Sequence, residues 1–317
     1  MSAAPPAPLF ARVALIGLGL IGSSIGHALK RGGLAGRIVG HARSEATRSA
    51  AMRIGFVDAV TASPQEAVAG ADLVILCTPV GTYGALARAI EPALAPGAIL
   101  TDVGSVKAGV IEAVAPHVPA GVHFVPGHPV AGTEQSGPEA GFAELFDQRW
   151  CILTPPPGTD EGAVARLRAL WEAMGARVEV MEARHHDLVL AITSHVPHLI
   201  AYNIVGTAAD LEAVTEAEVI KFSAGGFRDF TRIAASDPVM WRDIFLSNKE
   251  AVLEMLGRFV EDLTALQRAI RWGDGAMLEA HFRKTRAIRR QIIEAGQESG
   301  APDFGRHAGA GKPPPER

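Results

Sequence analysis

His128 is the residue best placed to do chemistry. It lies in Pro126-Gly127-His128-Pro129-Val130-Ala131-Gly132-Thr133-Glu134, between a glycine that permits close backbone approach and a proline that stiffens the chain. A neutral imidazole there accepts a proton from a hydroxyl as its carbon loses hydride. The competing reading is a loop histidine with one structural hydrogen bond. A second stretch, Thr101-Asp102-Val103-Gly104-Ser105-Val106-Lys107, supplies Ser105 and Lys107. Ser105 orients His128 or meets a substrate hydroxyl, or it caps a helix starting near Val106; both can hold. Lys107 reads equally as a solvated helix residue. Glu134 completes the constellation.

Hydride needs an acceptor, and Gly17-Leu18-Gly19-Leu20-Ile21-Gly22 is a G-x-G-x-x-G match. The match gains weight from its context, directly after a strand pattern and at the start of a helix pattern. Gly17 allows the tight turn, Gly19 lets a pyrophosphate approach the backbone, and Gly22 lets helix pack on strand. The helix start, with Leu20 and Ile21, faces the phosphates. Thr78 and Pro79, closing another strand, belong to the same crevice. A ribose-binding acid is expected about 20 residues after the loop. Gly40-His41-Ala42-Arg43-Ser44 has none there. Arg43, with Ser44 and Arg48 nearby, instead suits a 2′-phosphate. The cofactor expectation is therefore NAD(P), leaning to NADP; a solvated Arg43 is the other reading.

These residues need a frame that brings strand ends together. Strand patterns fall at Arg12–Ile16, Arg37–His41, Asp72–Thr78, Ala98–Val103 and Val122–Val125, with helix patterns at Leu20–Arg31 and Glu45–Ile54 between them. Ser63-Pro64-Gln65-Glu66 is a helix start. Alternation with continuous apolar strands predicts a parallel sheet covered on both faces, whose carboxyl ends line a ligand crevice. Trp150–Thr154 and Arg177–Val180 read as strands extending that sheet, with a helix near Asp160–Met174. After about Glu182 only helical patterns remain, including Trp241–Gln267 behind an Asp237-Pro238 cap and Gly275–Ala295. The expectation is an α/β Rossmann-type domain over residues 10–182, an all-α domain over 183–298 and a flexible tail over 299–317.

Composition agrees with a two-domain globular chain. The 317 residues are 48% hydrophobic and 20% charged, which excludes wholesale disorder. A formal net charge of −4 offers no electrostatic case for nucleic acid or an anionic membrane. No signal peptide or membrane span is legible. Two cysteines, Cys77 and Cys151, make neither a disulfide framework nor a cysteine-rich zinc site. The expectation is a cytoplasmic protein acting on a small-molecule substrate, with no metal.

Taken together, Gly17–Ser24, Asp102–Lys107, Gly127–Gly141, Ser194–Ala201 and Gly226–Trp241 resemble the prephenate/arogenate dehydrogenases of tyrosine biosynthesis, in family order and over about Val13 to Ala295. The glycine loop is widely shared; Gly127–Glu134 and Gly226–Ala234 are far more specific. The resemblance implies oxidation of the substrate's ring hydroxyl, hydride transfer to the nicotinamide, and loss of carbon dioxide. His128 would accept the hydroxyl proton, with Ser105 as its partner in orienting that hydroxyl. Arg232 would bind a carboxylate, and His195 would support the substrate and nicotinamide region. Glu134 and Asp229 would lie at the pocket mouth. Trp241 would reach the site from a second subunit, because the family dimerises through its helical domain. Read without the resemblance, His195 and Trp241 are equally core residues, and Arg232 an ion-pair partner of Asp229 or Asp237. No chorismate mutase or ACT-type segment is legible, so a monofunctional chain is expected.

Two other assignments compete. One is another two-domain NAD(P) dehydrogenase or an imine reductase. Hydroxyacid dehydrogenases of that kind place a catalytic lysine in the interdomain helix, and Val180–Leu199 contains none. The other is a non-catalytic dinucleotide sensor, which would need neither a base nor a carboxylate anchor.

Overall fold

Each apolar run of the first half becomes a strand whose alternate residues enter two different cores. The computed structural model describes residues 7–133, 135–215 and 225–294. Strands β1 (Phe10–Ile16), β2 (Ala35–His41), β3 (Ala59–Thr61), β4 (Leu73–Leu76), β5 (Ile99–Asp102) and β6 (His123–Phe124) form one parallel sheet in the order β3-β2-β1-β4-β5-β6. Val13, Leu15, Leu73, Ile75 and Ile99 face helices α1 (Leu20–Gly32) and α6 (Glu161–Ala173). Their neighbours Ala14, Ile16, Val74, Leu76 and Leu100 face α3 (Pro64–Val68), α4 (Tyr83–Ile90) and α5 (Ala108–Val114). Burial on both faces is the reason these runs are continuously apolar. Helix α2 (Glu45–Ile54) follows β2. Ser63 and Asp160 cap α3 and α6 through their side chains.

Two readings of the first half need correction. Strands β8 (Trp150–Leu153) and β9 (Arg177–Val180) do not extend the parallel sheet. They form a separate three-stranded sheet, ordered β7-β8-β9, with β7 (Gly127–Pro129) antiparallel to β8. His128 is accordingly a strand residue and not a loop residue. Pro129 is accommodated because β7 is an edge strand, where a missing N–H costs least.

Beyond β9 the described chain is helical: α7 (Ala183–Leu190), a wide π turn (Ala191–His195), α8 (Val196–Thr215), α9 (Gly225–Thr231), α10 (Pro238–Ser247), α11 (Lys249–Trp272) and α12 (Gly275–Glu294). The single helix expected over Trp241–Gln267 is two, broken at Asn248, whose φ of −111° and ψ of 33° leave the helical region. Ala183–Asp210 has the length and hydropathy to cross a bilayer, yet it buries His186, Asp187 and His195 within the protein. Packing divides the chain into two compact units, Met1–Met255 and Leu256–Arg317. In the first, α10 sends Trp241 and Ile244 into the same core as α4 and α5. Gly109 lets α5 approach the Ser247 carbonyl, to 3.1 Å from where a Cβ would stand. Asp237 caps α10. The second unit holds the rest of α11 and α12. Glu134 and the expected tail, residues 299–317, lie outside the described residues.

The β1–α1 turn has no room to spare. A Cβ on Gly22 would stand 2.1 Å from the Gly17 carbonyl oxygen, whereas one on Gly19 would meet nothing within 4 Å. Gly22→Ala is expected to cost about 1–3 kcal/mol by overpacking. Gly19→Ala is expected to cost less than about 1 kcal/mol, the difference between glycine and alanine at a helix cap. Urea denaturation of the two variants compares them directly.

Candidate active site

The glycine loop has the shape that a diphosphate requires. Gly17 takes a φ of 109°, and a Cβ there would stand 2.6 Å from the Cys77 carbonyl carbon. Only glycine holds this conformation without strain. Gly19 is the N-cap of α1, and no side chain caps the helix. The first N–H groups of Leu20, Ile21 and Gly22 therefore open onto the space above Gly19, a cradle for negative charge. The strand order reverses between β1 and β4, and Thr78 and Pro79 follow β4 at that crevice, Thr78 Oγ1 lying 2.7 Å from Thr82 Oγ1. These residues fit a dinucleotide.

At the ribose end, β2 finishes at buried His41, whose ring meets the Thr61 carbonyl at 3.2 Å. Arg43 is exposed, and Ser44 caps α2 by accepting the Thr47 N–H. Arg48 is not available in the way expected for a phosphate. Its Nη1 donates to the Ala42 and Arg43 carbonyls at 2.7 and 2.9 Å and shapes this loop.

The imidazole of His128 is buried at 7% exposure. Its Nδ1 lies 2.9 Å from His186 Nε2, and His186 Nδ1 lies 2.8 Å from Asp187 Oδ1. Asp187 also accepts the Lys107 N–H (2.7 Å) on Oδ1 and the Ala108 N–H (2.8 Å) on Oδ2. A carboxylate accepts only, so His186 carries its proton on Nδ1 and presents a lone pair on Nε2. His128 then donates from Nδ1, which leaves its Nε2 unprotonated. Burial pushes the His128 pKa well below 6.5, helped by the neighbouring His186, Lys107 and His195. Burial likewise lowers His186, against the pull of Asp187. His128 is thus a neutral base with a defined tautomer.

This chain corrects three expectations. The partner that orients His128 is His186, not Ser105. Ser105 does not cap a helix, because α5 starts at Ala108 and Asp187 receives its first N–H groups. Lys107 is not solvated; it is fully buried, and its Nζ donates to Asp102 Oδ2 (2.5 Å) and the Gly127 carbonyl (2.6 Å). Ser105 is half-buried between these groups.

His195 sits on the π turn. Asn248 Nδ2 lies 3.1 Å from its Nδ1 and donates to the Asp187 carbonyl at 2.9 Å. The amide is a donor, so His195 carries its proton on Nε2, a buried atom without a well-formed hydrogen bond among the described residues, while the nearby Ser105 main chain favours its protonation. Burial pushes its pKa down to about 4. His186 and His195 are nine positions apart, which in a regular helix is half a turn out of phase at about 100° per residue. The π turn takes up one residue and reduces the offset to about 80°, so both rings are buried on the same side. Trp241 is buried within its own chain, stacked on His198 at 3.7 Å and edge-on to His195 at 6.0 Å. It does not need a second subunit to reach the site.

Arg232 is half-buried at the start of a short 3-10 turn, Arg232–Ala235, and its charge lowers the His198 pKa after burial has done so. The Tyr202 hydroxyl holds that turn through the Ser236 carbonyl at 2.7 Å. Asp229 is exposed and pairs with Arg228 at 3.2 Å, and Asp237 is committed to capping α10. His186, Asp187 and Asn248 went unread in the sequence; the one available sign was a His-His-Asp run at the edge of an apolar helix.

Comparison with known proteins decides the family. The model of the prephenate dehydrogenase nucleotide-binding domain matches residues 25–180, and that of the prephenate dehydrogenase dimerization domain matches residues 182–284. The chain belongs to the prephenate dehydrogenase family. Among relatives in that family, the cyclohexadienyl dehydrogenase of Zymomonas mobilis is 44% identical over 281 residues, covering 89% of this chain and 96% of its own. The prephenate dehydrogenase of Bacillus subtilis is 35% identical over 92% of this chain and 78% of its own. The Aquifex aeolicus prephenate dehydrogenase, solved with hydroxyphenyl propionate and NAD+, superposes with a TM-score of 0.83 at 34% identity, over 92% of this chain and all of that one. Synechocystis arogenate dehydrogenase gives 0.74 at 27% identity, over 89% and 99%. As a member of the family, the protein is a nucleotide-dependent oxidoreductase.

Neutral buried histidines tie stability to pH. His128, His186, His195 and His198 all have lowered pKa values in the fold. Below about pH 6.5 the unfolded chain binds protons that the native chain refuses. Stability is therefore full above that pH and falls as pH drops, by up to about 1.4 kcal/mol per unit for each histidine held neutral. Denaturation midpoints at pH 8, 6 and 5 check this; a midpoint that rises on acidification contradicts it.

Proposed function

We propose that the chain oxidises prephenate, arogenate or both at the ring hydroxyl, with hydride transfer to NAD(P)+ and loss of carbon dioxide, in tyrosine biosynthesis. The observation that carries this reading is the buried His128, whose Nδ1 is engaged by His186 and whose Nε2 makes no hydrogen bond among the described residues. His128 Nε2 takes the hydroxyl proton as the carbon–hydrogen electron pair departs. Bound NAD(P)+ supplies the hydride acceptor. The imidazolium that forms is stabilised through His186 by the Asp187 carboxylate. Loss of carbon dioxide then restores aromaticity and needs no further acid.

Arg232 is the proposed carboxylate anchor, a planar cation beside His198. Ser105 is proposed to meet the substrate hydroxyl, and the Nε2–H of His195 to meet the substrate or the nicotinamide amide. Asp229, and Glu134 outside the described residues, are proposed for the pocket mouth. Gly17, Gly19, Leu20, Ile21, Gly22, Thr78 and Pro79 would hold the dinucleotide. Arg43 and Ser44, with no acid between the end of β2 and the start of α2, favour acceptance of NADP+. Residues 10–182 serve the cofactor on this reading, and 183–298 serve the substrate and a homodimer. Exposed Leu253, Val260, Leu263 and Ile270 on α11 and Phe282 and Ile288 on α12 support such an interface. Two free cysteines suit a cytoplasmic protein.

The deciding experiment is initial rates over a two-by-two grid, prephenate or arogenate with NAD+ or NADP+, followed by absorbance of the reduced cofactor. Activity with neither substrate removes the proposal, and strict NAD+ use contradicts the role given to Arg43. His128→Asn is expected to lower turnover about 10²–10⁴-fold with little change in KM. Arg232→Ala is expected mainly to raise the KM for substrate. Steady-state kinetics separates the two, and an unchanged turnover in the His128 variant sinks its assignment as base.

A further inference from the structure

Lys107 lies at the meeting point of every chain that holds His128, yet touches neither the base nor any open space. Its ammonium is fully buried, donating to Asp102 Oδ2 at 2.5 Å and to the Gly127 carbonyl at 2.6 Å. Gly127 is the residue before His128. Asp102 in turn accepts the Gly104 N–H at 2.8 Å and the Gly127 N–H at 3.3 Å, so both backbone polar groups of Gly127, in the peptides before and after its Cα, are held. The backbone N–H of Lys107 donates to Asp187 Oδ1, the same oxygen that His186 Nδ1 meets. One residue therefore fixes the backbone entering His128 through its side chain, and the far end of the imidazole chain through its main chain.

We propose that Lys107 is a positioning residue, whose buried ammonium sets the place of the His128 base and, through the His186 contact which that place allows, its tautomer. This rests on the dehydrogenase reading above. A solvated lysine would leave the Gly127 carbonyl to water and β7 free to shift. An ångström of misplacement at a reacting group lowers turnover while leaving binding almost intact. The charge acts too. The groups facing His128 are His186 and Asp187 from α7, His195 from the π turn, Cys151 from β8, and the Lys107–Asp102 pair from the end of β5. Among them Lys107 opposes protonation of His128. Burial pushes Lys107 down and Asp102 up, and their contact offsets part of both.

The test is the paired variant Asp102→Asn/Lys107→Met, which removes both charges together and leaves no buried lone ion. Expected are KM values within about threefold of wild type, turnover lower by tenfold or more, and an acid limb of kcat/KM moved to higher pH. Loss of folded protein alone would lower the active fraction without moving that limb. Lys107→Gln is the second variant: it keeps two donors, and is expected to move the limb the same way with a smaller loss of turnover. Imidazole ¹⁵N spectra give a readout independent of activity, with one Nδ1–H tautomer for His128 in the wild type and a mixture in the paired variant. Wild-type turnover, pH limb and single tautomer in either folded variant overturn the proposal. If the wild type reduces NAD(P)+ with neither substrate, the dehydrogenase reading fails, and the spectra still decide the role of Lys107.

Discussion

The carboxylate of Asp187 is the point on which the site depends. It is nearly buried, and a buried carboxylate is costly unless fully hydrogen-bonded. Its two oxygens meet three donors: the first two N–H groups at the start of α5 and the Nδ1–H of His186. Hydrogen bonds to a charged group contribute about 1.5–3 kcal/mol each. The same contacts do three jobs. They satisfy a helix start that no local side chain caps, pin α7 to the start of α5, and set the direction in which protons point along the histidine chain. The main-chain carbonyl of Asp187 extends this through Asn248 to His195.

Around the base itself the site is otherwise assembled from neutral parts, with the Arg232 cation set further off beside His198. Three buried histidines and the half-buried His198 lie among aromatic rings and helix ends, and desolvation lowers the pKa of each. The Lys107–Asp102 pair carries no net charge, and of the two only Lys107 is felt at His128. Asp187 is the remaining negative charge beside the base, and it stands where an imidazolium would form. A site of this kind starts uncharged at His128 and becomes favourable only when the proton arrives, which is the asymmetry that transition-state stabilisation needs.

Much of the frame was legible in the sequence because its signals are local. Continuous apolar runs marked five of the six parallel strands to within two residues, the three-residue β3 being too short and too little buried to show, and Gly17 and Gly22 stand where backbone would otherwise collide. His128 stood out through its glycine and proline neighbours. The remainder depends on long-range packing. Gly-His-Pro reads as a loop because two of its three residues disfavour strands, and only its pairing with β8 makes it one. Lys107 read equally as a site residue or a solvated one, because its partners, five residues before and twenty after, are brought together only by the contact of β5 and β7. His186 and Asp187 sit on a helix whose sequence does not say which polar residues face inward. The second-subunit role of Trp241 came from the resemblance alone; its own segment read equally as core, which is where the stack on His198 puts it.

The π turn between α7 and α8 makes chain length part of the chemistry. The two rings share a face only because five residues complete a turn that four would normally fill. Adding or removing one residue there would swing His195 by about 100°, carrying with it His198 and its stacked indole. Substitution within Ala191–His195 is a question of side chains, but insertion or deletion is a question of phase. The site fixes the length of that segment as firmly as it fixes His195 itself.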